Sequence, residues 1–155
     1  MIPKFRAWDR TRHEMNYKIM VGNCDTDDDN WTCPIIWIEE ARDWLHFDDF
    51  ECIMQSTGLF DKNGQEIFEG DIITTSAYGC IVGFGEYTYF EDEHTQTTEI
   101  GFYLSFLNVK PATYAPFDKY YWDNCEVIGN IYENELDLVM YEAYKHNNIA
   151  GEVEE

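Results

Sequence analysis

The sequence predicts a mainly β chain, built as a small, partly open barrel or as two packed antiparallel sheets, and three observations carry that prediction. Apolar residues alternate with others in short runs, most clearly where Ile100, Phe102, Leu104 and Phe106 interleave with Gly101, Tyr103 and Ser105, the period of a half-buried strand. Turn signals recur between the runs, notably Asn63-Gly64 and Glu69-Gly70-Asp71, where the backbone reverses at little cost. The chain is 45% hydrophobic and 17% aromatic, which rules out wholesale disorder and leaves these short runs to fold as strands. Two helices are expected beside the strands, a short one near 39–46 and a C-terminal one near 135–145.

Taken in order, Phe5, Ala7 and Trp8 sit among charged neighbours. They are followed by the polar Arg12-His13-Glu14 and then by Met15, Tyr17, Ile19 and Val21, which reads as two strands and a turn. Residues 22–30 read as a loop crowded with Asp25, Asp27, Asp28 and Asp29, whose mutual repulsion resists compaction. Pro34 precedes Ile35, Ile36, Trp37 and Ile38, a strand or the beginning of a helix. Glu39-Glu40-Ala41-Arg42-Asp43-Trp44-Leu45 supplies two helical turns, with acids at the end where the helix dipole favours them. Residues 50–54 return to strand. From Met54 to Ile73 the pattern is turn, short strand through Ile67-Phe68, turn, and strand through Ile72-Ile73.

Residues 80–90 are β-rich, with glycines that suggest a bulge or tight bending, and Glu91-Asp92-Glu93-His94-Thr95-Gln96 is a polar turn. Residues 110–123 read as a loop rich in proline and aromatics. Val127, Gly129 and Ile131 alternate in a closing strand, and Leu136, Leu138, Val139, Tyr141, Ala143 and Tyr144 fit the second helix. Residues 1–146 are expected to form one compact unit, or two small β subdomains with a boundary near 55–65, leaving 147–155 as a frayed acidic tail.

The stretch Gln55-x-Thr57-Gly58-Leu59-x-Asp61-x-Asn63-Gly64-x-Glu66-Ile67-x-Glu69-Gly70-Asp71-Ile72 resembles the hallmark block of the YopX-like family of small phage and prophage proteins. Lys4-Phe5-Arg6-Ala7-Trp8-Asp9 resembles that family's opening, and Glu126-Val127-Ile128-Gly129-Asn130-Ile131-Tyr132-Glu133-Asn134 its closing strand. These blocks bracket nearly the whole chain. The resemblance implies a phage-encoded, mainly β protein without an established catalytic activity. The strand after Glu69-Gly70-Asp71 also resembles those that open SH3-like barrels, an analogy of fold only.

Charge narrows the function. The net charge is −21, from 31 acidic and 10 basic residues. Residues 1–18 hold five basic and two acidic residues, a balance of +3, which leaves −24 for the rest. Such a surface repels phosphate backbones and anionic membranes, and attracts basic proteins over roughly 8–10 Å at physiological salt. Five widely spaced cysteines (Cys24, Cys33, Cys52, Cys80 and Cys125) without a Cys-x-x-Cys pair point to reduced thiols. There is no apolar signal core, and no run approaches the ~18–20 apolar residues of a membrane span. The expectation is a soluble protein in the cytoplasm of an infected or lysogenic bacterial host.

Motifs for chemistry are sparse. His13, His46, His94 and His146 are isolated, and their spacing to Cys24 and Cys33 matches no familiar zinc arrangement. Asp25-x-Asp27-Asp28-Asp29-Asn30 begins like a calcium loop but carries Asn30 at the sixth position and Ile36 at the twelfth, where glycine and a bidentate glutamate are needed. Acidic pairs such as Asp48-Asp49 have no specificity in so acidic a chain. Gly83-x-Gly85 is followed by Glu86 and aromatics rather than by a phosphate-binding helix.

A non-enzymatic protein without cofactor or metal is therefore expected. On the residues alone, solubility accounts for the charge slightly better than mimicry of nucleic acid, and the phage resemblance shifts the balance towards mimicry. The reading adopted is an acidic protein that occupies the nucleic-acid groove of a basic host or defence protein, as in anti-restriction or anti-CRISPR inhibition. Its contact residues would be Asp25, Asp27, Asp28, Asp29, Glu91, Asp92 and Glu93, with Tyr114, Tyr120, Tyr121 and Trp122 as an aromatic anchor. The alternatives are a self-associating structural, assembly or regulatory factor using strand edges and, last, a carboxylate-based hydrolase.

Overall fold

The computed structural model describes residues 3–10, 12–25, 32–39, 42–46, 53–75 and 78–134. Nearly all of them lie in antiparallel strands or tight turns, so the chain is mainly β. It divides into two compact units, Met1–Ser56 and Thr57–Glu155.

In the first unit, β1 (Phe5–Asp9) pairs with β2 (Glu14–Asn16), setting Trp8 opposite Met15. The turn between them is held by Asp9, whose Oδ1 accepts from the Arg12 amide at 3.0 Å, and by His13 at φ 53°. On its other side β1 pairs with the start of β6 (Ile53–Phe60), with Arg6 opposite Met54. Ala7 is fully buried there among Ile19, Val21 and Ile53. A meander follows, β3 (Ile19–Asp25), β4 (Thr32–Ile38) and β5 (Asp43–His46).

This meander corrects two expectations. Residues 22–25 belong to β3, paired from Gly22↔Ile35 to Asp25↔Thr32, rather than to an acidic loop. Residues 43–46, expected in a short helix near 39–46, form β5, with Trp37 opposite Trp44 and Ile36 opposite Leu45. Eight residues are too few to sustain a helix unaided. Arg42 at φ 47° and the bond from its amide to the Glu39 carbonyl at 3.3 Å make a tight reversal instead. The expected helix near 135–145 and the tail 147–155 lie outside the described residues.

In the second unit, β6 ends against β7 (Glu66–Phe68). A five-stranded sheet then runs in the order β11-β10-β9-β8-β12, from β8 (Asp71–Thr74), β9 (Gly79–Phe90), β10 (Gln96–Phe106), β11 (Tyr114–Pro116) and β12 (Glu126–Asn130). A short helix, α1 (Lys119–Asn124), precedes β12. The stretch 110–123 is therefore not the plain loop its prolines suggest. Asp118 caps α1 by accepting from the Tyr120 amide at 3.1 Å, and Phe117 packs edge-on against Trp122 at 6.0 Å. A cap flanked by such an apolar pair is a helix-start signature. The core gathers Ile67, Ile73, Cys80, Val82, Leu104 and Cys125.

The turns expected at Asn63-Gly64 and Glu69-Gly70-Asp71 are present. In the first, the glycine and not Asn63 takes positive φ, at 83°, closing a three-residue hairpin loop in which the Gly64 amide donates to the Asp61 carbonyl at 3.0 Å and the Asp61 amide to that of Gln65 at 2.8 Å; in the second, Gly70 takes φ 87°. The Asp61 carboxylate organises the first loop. Its Oδ1 accepts from the amides of Asn63 and Gln65 at 2.9 and 2.8 Å, and its Oδ2 from the amide of Val127 in β12 at 2.9 Å. Replacing Asp61 with alanine orphans three donors, and buried unmet groups cost about 1–3 kcal/mol each. Allowing for water reaching the loop, Asp61→Ala is expected to destabilise the fold by about 3 kcal/mol, with Asp61→Asn losing less. Urea denaturation of the two variants checks this, and an unchanged midpoint for Asp61→Ala contradicts it.

Candidate functional site

The β9–β10 hairpin is the longest element of the second unit, in register from Cys80↔Phe106 to Phe90↔Gln96. Only its base has other backbone partners. β8 pairs with β9 at Gly79–Ile81, and β11 pairs with β10 at Tyr103–Ser105. Beyond that base, residues 84–90 and 96–101 pair only with each other among the described residues. The sequence supports such a ribbon because Thr, Tyr, Phe and Ile dominate both strands, and β-branched and aromatic residues favour the pleat.

Asp92 shapes the tip. Its Oδ1 accepts from the amides of His94 and Thr95, both at 2.7 Å, and its Oδ2 accepts from the Thr95 hydroxyl at 3.2 Å. The His94 and then the Thr95 amide hydrogen bonds hold the Asp92 carboxyl below its ordinary range. Glu91 and Glu93 flank it, both exposed.

The two faces of the ribbon differ. On one, Phe84 meets Phe102 with ring centroids 4.8 Å apart, while Ile100 and Phe90 remain 77% and 70% exposed. The other face is a row of tyrosines. Tyr87 stacks on Tyr89 at 5.7 Å and on Tyr103 at 5.2 Å, and Tyr114 of β11 meets Tyr103 edge-on at 5.8 Å. Glycine makes the row possible. Gly83 lies opposite Tyr103, and a Cβ there would run into the Tyr103 ring. Glu99, opposite Tyr87 in the register, accepts from the Tyr87 hydroxyl at 2.9 Å and from the Tyr89 hydroxyl at 3.3 Å. Burial first, and then Glu99, push the Tyr87 phenol up to about 12, and Tyr89 is raised by the same two causes. Beside the row, Glu86, Tyr87, Thr88, Tyr103 and Tyr114 line a groove of about 380 Å³.

The residues singled out in the sequence fall into three groups. Glu91, Asp92 and Glu93 come together at the ribbon tip, and Tyr114 lies on the tyrosine row. Tyr120 is 71% exposed on α1, whereas Tyr121 and Trp122 are half-buried and pack towards the core, Tyr121 against Phe106 at 6.3 Å. Asp25 ends β3, and Asp27, Asp28 and Asp29 lie outside the described residues. Tyr87, Tyr89, Tyr103, Glu86 and Glu99 were missed. Counting outward from a turn closed between Glu91 and Thr95 sets Tyr87 against Glu99, whereas the Glu91–Gln96 turn read from the sequence is one residue too long and sets Tyr87 against Ile100.

Among the described residues no group of three His, Cys, Asp or Glu is placed to hold a metal, and no helix is long and apolar enough to cross a membrane. Cys80 and Cys125 are buried free thiols pushed up to about 12 and about 11, chiefly by burial, so both stay protonated at neutral pH and react sluggishly.

Two outcomes are expected. Absorbance titration should show the Tyr87 phenol ionising near pH 12 against an ordinary 10.0. Glu99→Gln should lower that value only in part, because burial is the larger cause. Since the unfolded chain ionises first, Tyr87 leaves stability flat below pH 10 and reduces it between pH 10 and 12. Gly83→Ala should displace Tyr103 from its stack and change the near-ultraviolet dichroism while sparing the strand content. Unaltered aromatic bands would contradict the stacking.

A family model described as YopX protein matches residues 4–137. A crystal structure of protein EF1440 from Enterococcus faecalis is 28% identical, over 89% of this chain and 99% of that one, with a TM-score of 0.46. No curated protein matches the chain.

Proposed function

The chain belongs to the YopX family, and from that membership we propose that it is a non-enzymatic phage accessory protein that binds and inhibits a basic, nucleic-acid-handling host or defence protein through an acidic face. The observation that carries this reading is the charge of the ribbon. Glu86, Glu91, Asp92, Glu93 and Glu99 lie on it, with no lysine or arginine between residues 83 and 104. Over residues 57–134, thirteen acids face three lysines, and two of those lysines are already engaged. Lys62 pairs with Glu126 at 3.8 Å and Lys119 with Asp123 at 2.8 Å.

The projection is thus strongly negative. Its field repels phosphate and steers a basic partner into encounter over roughly a Debye length, ~8–10 Å at physiological salt. Carboxylates on a narrow ribbon suit the groove in which such a partner holds a nucleic-acid backbone. The setting is the cytoplasm of the infected or lysogenic host, and no cofactor is needed.

A second reading, self-association as a structural or assembly factor, is favoured by the exposed Phe90 and Ile100 beside strand edges that have no partner among the described residues. Sedimentation at low micromolar concentration separates the two, because a strict monomer removes self-association.

Pull-down of the tagged protein from host lysate tests the leading reading. A basic nucleic-acid-binding partner should be retained at low salt, lost at high salt and displaced by DNA. The double variant Glu91→Lys/Glu93→Lys should weaken its capture by roughly tenfold or more, as charge reversal across an electrostatic interface does. Capture indifferent to both salt and charge reversal would sink the reading.

A further inference from the structure

The free edge of the ribbon has a chemistry that its net charge does not specify. We infer that the β9 edge from Phe84 to Phe90 takes up an extended segment of the partner as an added strand, with a basic side chain of that segment beside Glu86. The assignment depends on the partner being basic, as proposed above, and adds how it is held.

Backbone direction comes first. The odd-numbered residues of β9 bond towards β10. At the tip the Glu91 amide donates to the Thr95 carbonyl at 2.9 Å, and at the base the Gly79 carbonyl accepts from the Leu107 amide at 2.9 Å. In an antiparallel pair the residues between them face the opposite edge. Val82 does so, its carbonyl accepting from the Gly70 amide at 2.8 Å, just before β8 begins. Beyond Val82 the backbone groups of Phe84, Glu86 and Thr88 point along the same edge, where no strand lies among the described residues. Such a row of donors and acceptors is the template for strand addition. The residues that usually block a free edge are missing, since no proline, lysine or arginine occurs between residues 83 and 104.

Side chains then specify the occupant. The residues whose backbone faces this edge also lie on the apolar face of the ribbon, with Phe84 opposite Phe102 and Glu86 opposite Ile100. Phe84, Glu86, Phe90 and Ile100 are all exposed, and the face continues that of the buried Val82 and Leu104. Glu86 makes no hydrogen bond or ion pair among the described residues. Directly opposed residues of neighbouring strands share a face. An added strand therefore sets one side chain beside Phe84, the next but one beside Glu86, and later ones beside Thr88 and Phe90. A cation beside Glu86 and apolar groups beside the phenylalanines complete that face. The β10 edge offers only Gln96, Thr98 and Ile100, which carry no charge. A second copy of the ribbon would bring more carboxylates and no lysine or arginine.

The test adds a short threonine-rich peptide, with a central lysine and a valine two places to either side, to the intact chain. Nuclear magnetic resonance follows the backbone amides. The Phe84, Glu86 and Thr88 amides should shift, exchange more slowly with solvent and saturate. Replacing the central lysine with glutamate should weaken binding by roughly three- to tenfold, and so should Glu86→Lys against the lysine peptide. Methylating the lysine and valine amides of the peptide should abolish binding. Proline is tolerated where a strand amide faces solvent, so Thr88→Pro removes a donor from the β9 edge and Thr98→Pro one from the β10 edge. Both lose the same Thr88–Thr98 hydroxyl bond of 2.8 Å, so their difference reports the edge alone. Thr88→Pro should weaken the peptide by roughly tenfold or more and Thr98→Pro by less than about twofold, with dichroism confirming that each variant stays folded. Equal affinity for the lysine and glutamate peptides, indifference to amide methylation, or an equal response to the two prolines overturns the inference. So does a dimer in sedimentation that Thr88→Pro dissolves, because the occupant is then a second copy.

The tip variant Glu91→Lys/Glu93→Lys separates this inference from the reading beneath it. If partner capture falls with salt and with that variant while Thr88→Pro leaves it unchanged, the edge assignment fails and the acidic ribbon stands. If the peptide obeys the edge variants while partner capture ignores salt and tip charge, the inhibitor reading fails and the strand-binding edge stands.

Discussion

The carboxylate of Asp61 accepts from two amides of its own turn and from the amide of Val127 in β12, 66 residues on, and the second unit is arranged around that junction. The neighbouring Lys62 amide donates to the Cys125 carbonyl at 3.1 Å, so the hairpin loop grips the closing segment twice. A turn that follows directly, Glu69-Gly70-Asp71, adds another grip. The Asp71 Oδ2 accepts from the Phe68 amide at 2.7 Å, while Gly70 bonds to Val82 through its amide and to Ile131 through its carbonyl. Backbone donors buried near a core cannot be left unmet. These side chains therefore decide where β12 lies, and with it the edge of the five-stranded sheet.

Outward from that anchored base the hairpin continues, among the described residues, with only its own cross-strand pairs. A free two-stranded ribbon with exposed Phe90 and Ile100 invites pairing with another chain. Its carboxylates oppose this, because like charges repel when two copies approach edge to edge. The same acids that make the ribbon attractive to a basic partner thus help keep it from joining its own kind. On the tyrosine face, glycine clears the space, the rings fill it, and Glu99 ties two hydroxyls together, giving an ordered surface at low side-chain entropy.

The helix that formed and the helix that did not form show where local pattern misleads. Residues 39–46 have acids and periodic apolar positions, yet β4 is adjacent and offers Trp37 and Ile36 as partners for Trp44 and Leu45. Pairing wins over a two-turn helix that lacks a packed face. Residues 119–124 look unpromising beside prolines, but Asp118 caps the segment, and the Phe117–Trp122 contact fastens its first turn. Both signals were present in the residues, obscured by a composition that reads as loop.

The sequence by itself determined the mainly β class, the turns at Asn63-Gly64 and Glu69-Gly70-Asp71, the acidic tip of the long hairpin and the family, because each depends on a few adjacent residues and their intrinsic geometry. Tertiary structure decided which residues form a surface together. Tyr87 and Glu99 are twelve positions apart, Gly83 and Tyr103 twenty, and Asp61 and Val127 sixty-six. Their contacts exist only once register and turn length are set. Composition could announce that the chain is acidic and aromatic. Only the pleat, which sends alternate side chains to opposite faces, could put the tyrosines in one row and leave the exposed phenylalanine and isoleucine on the other side.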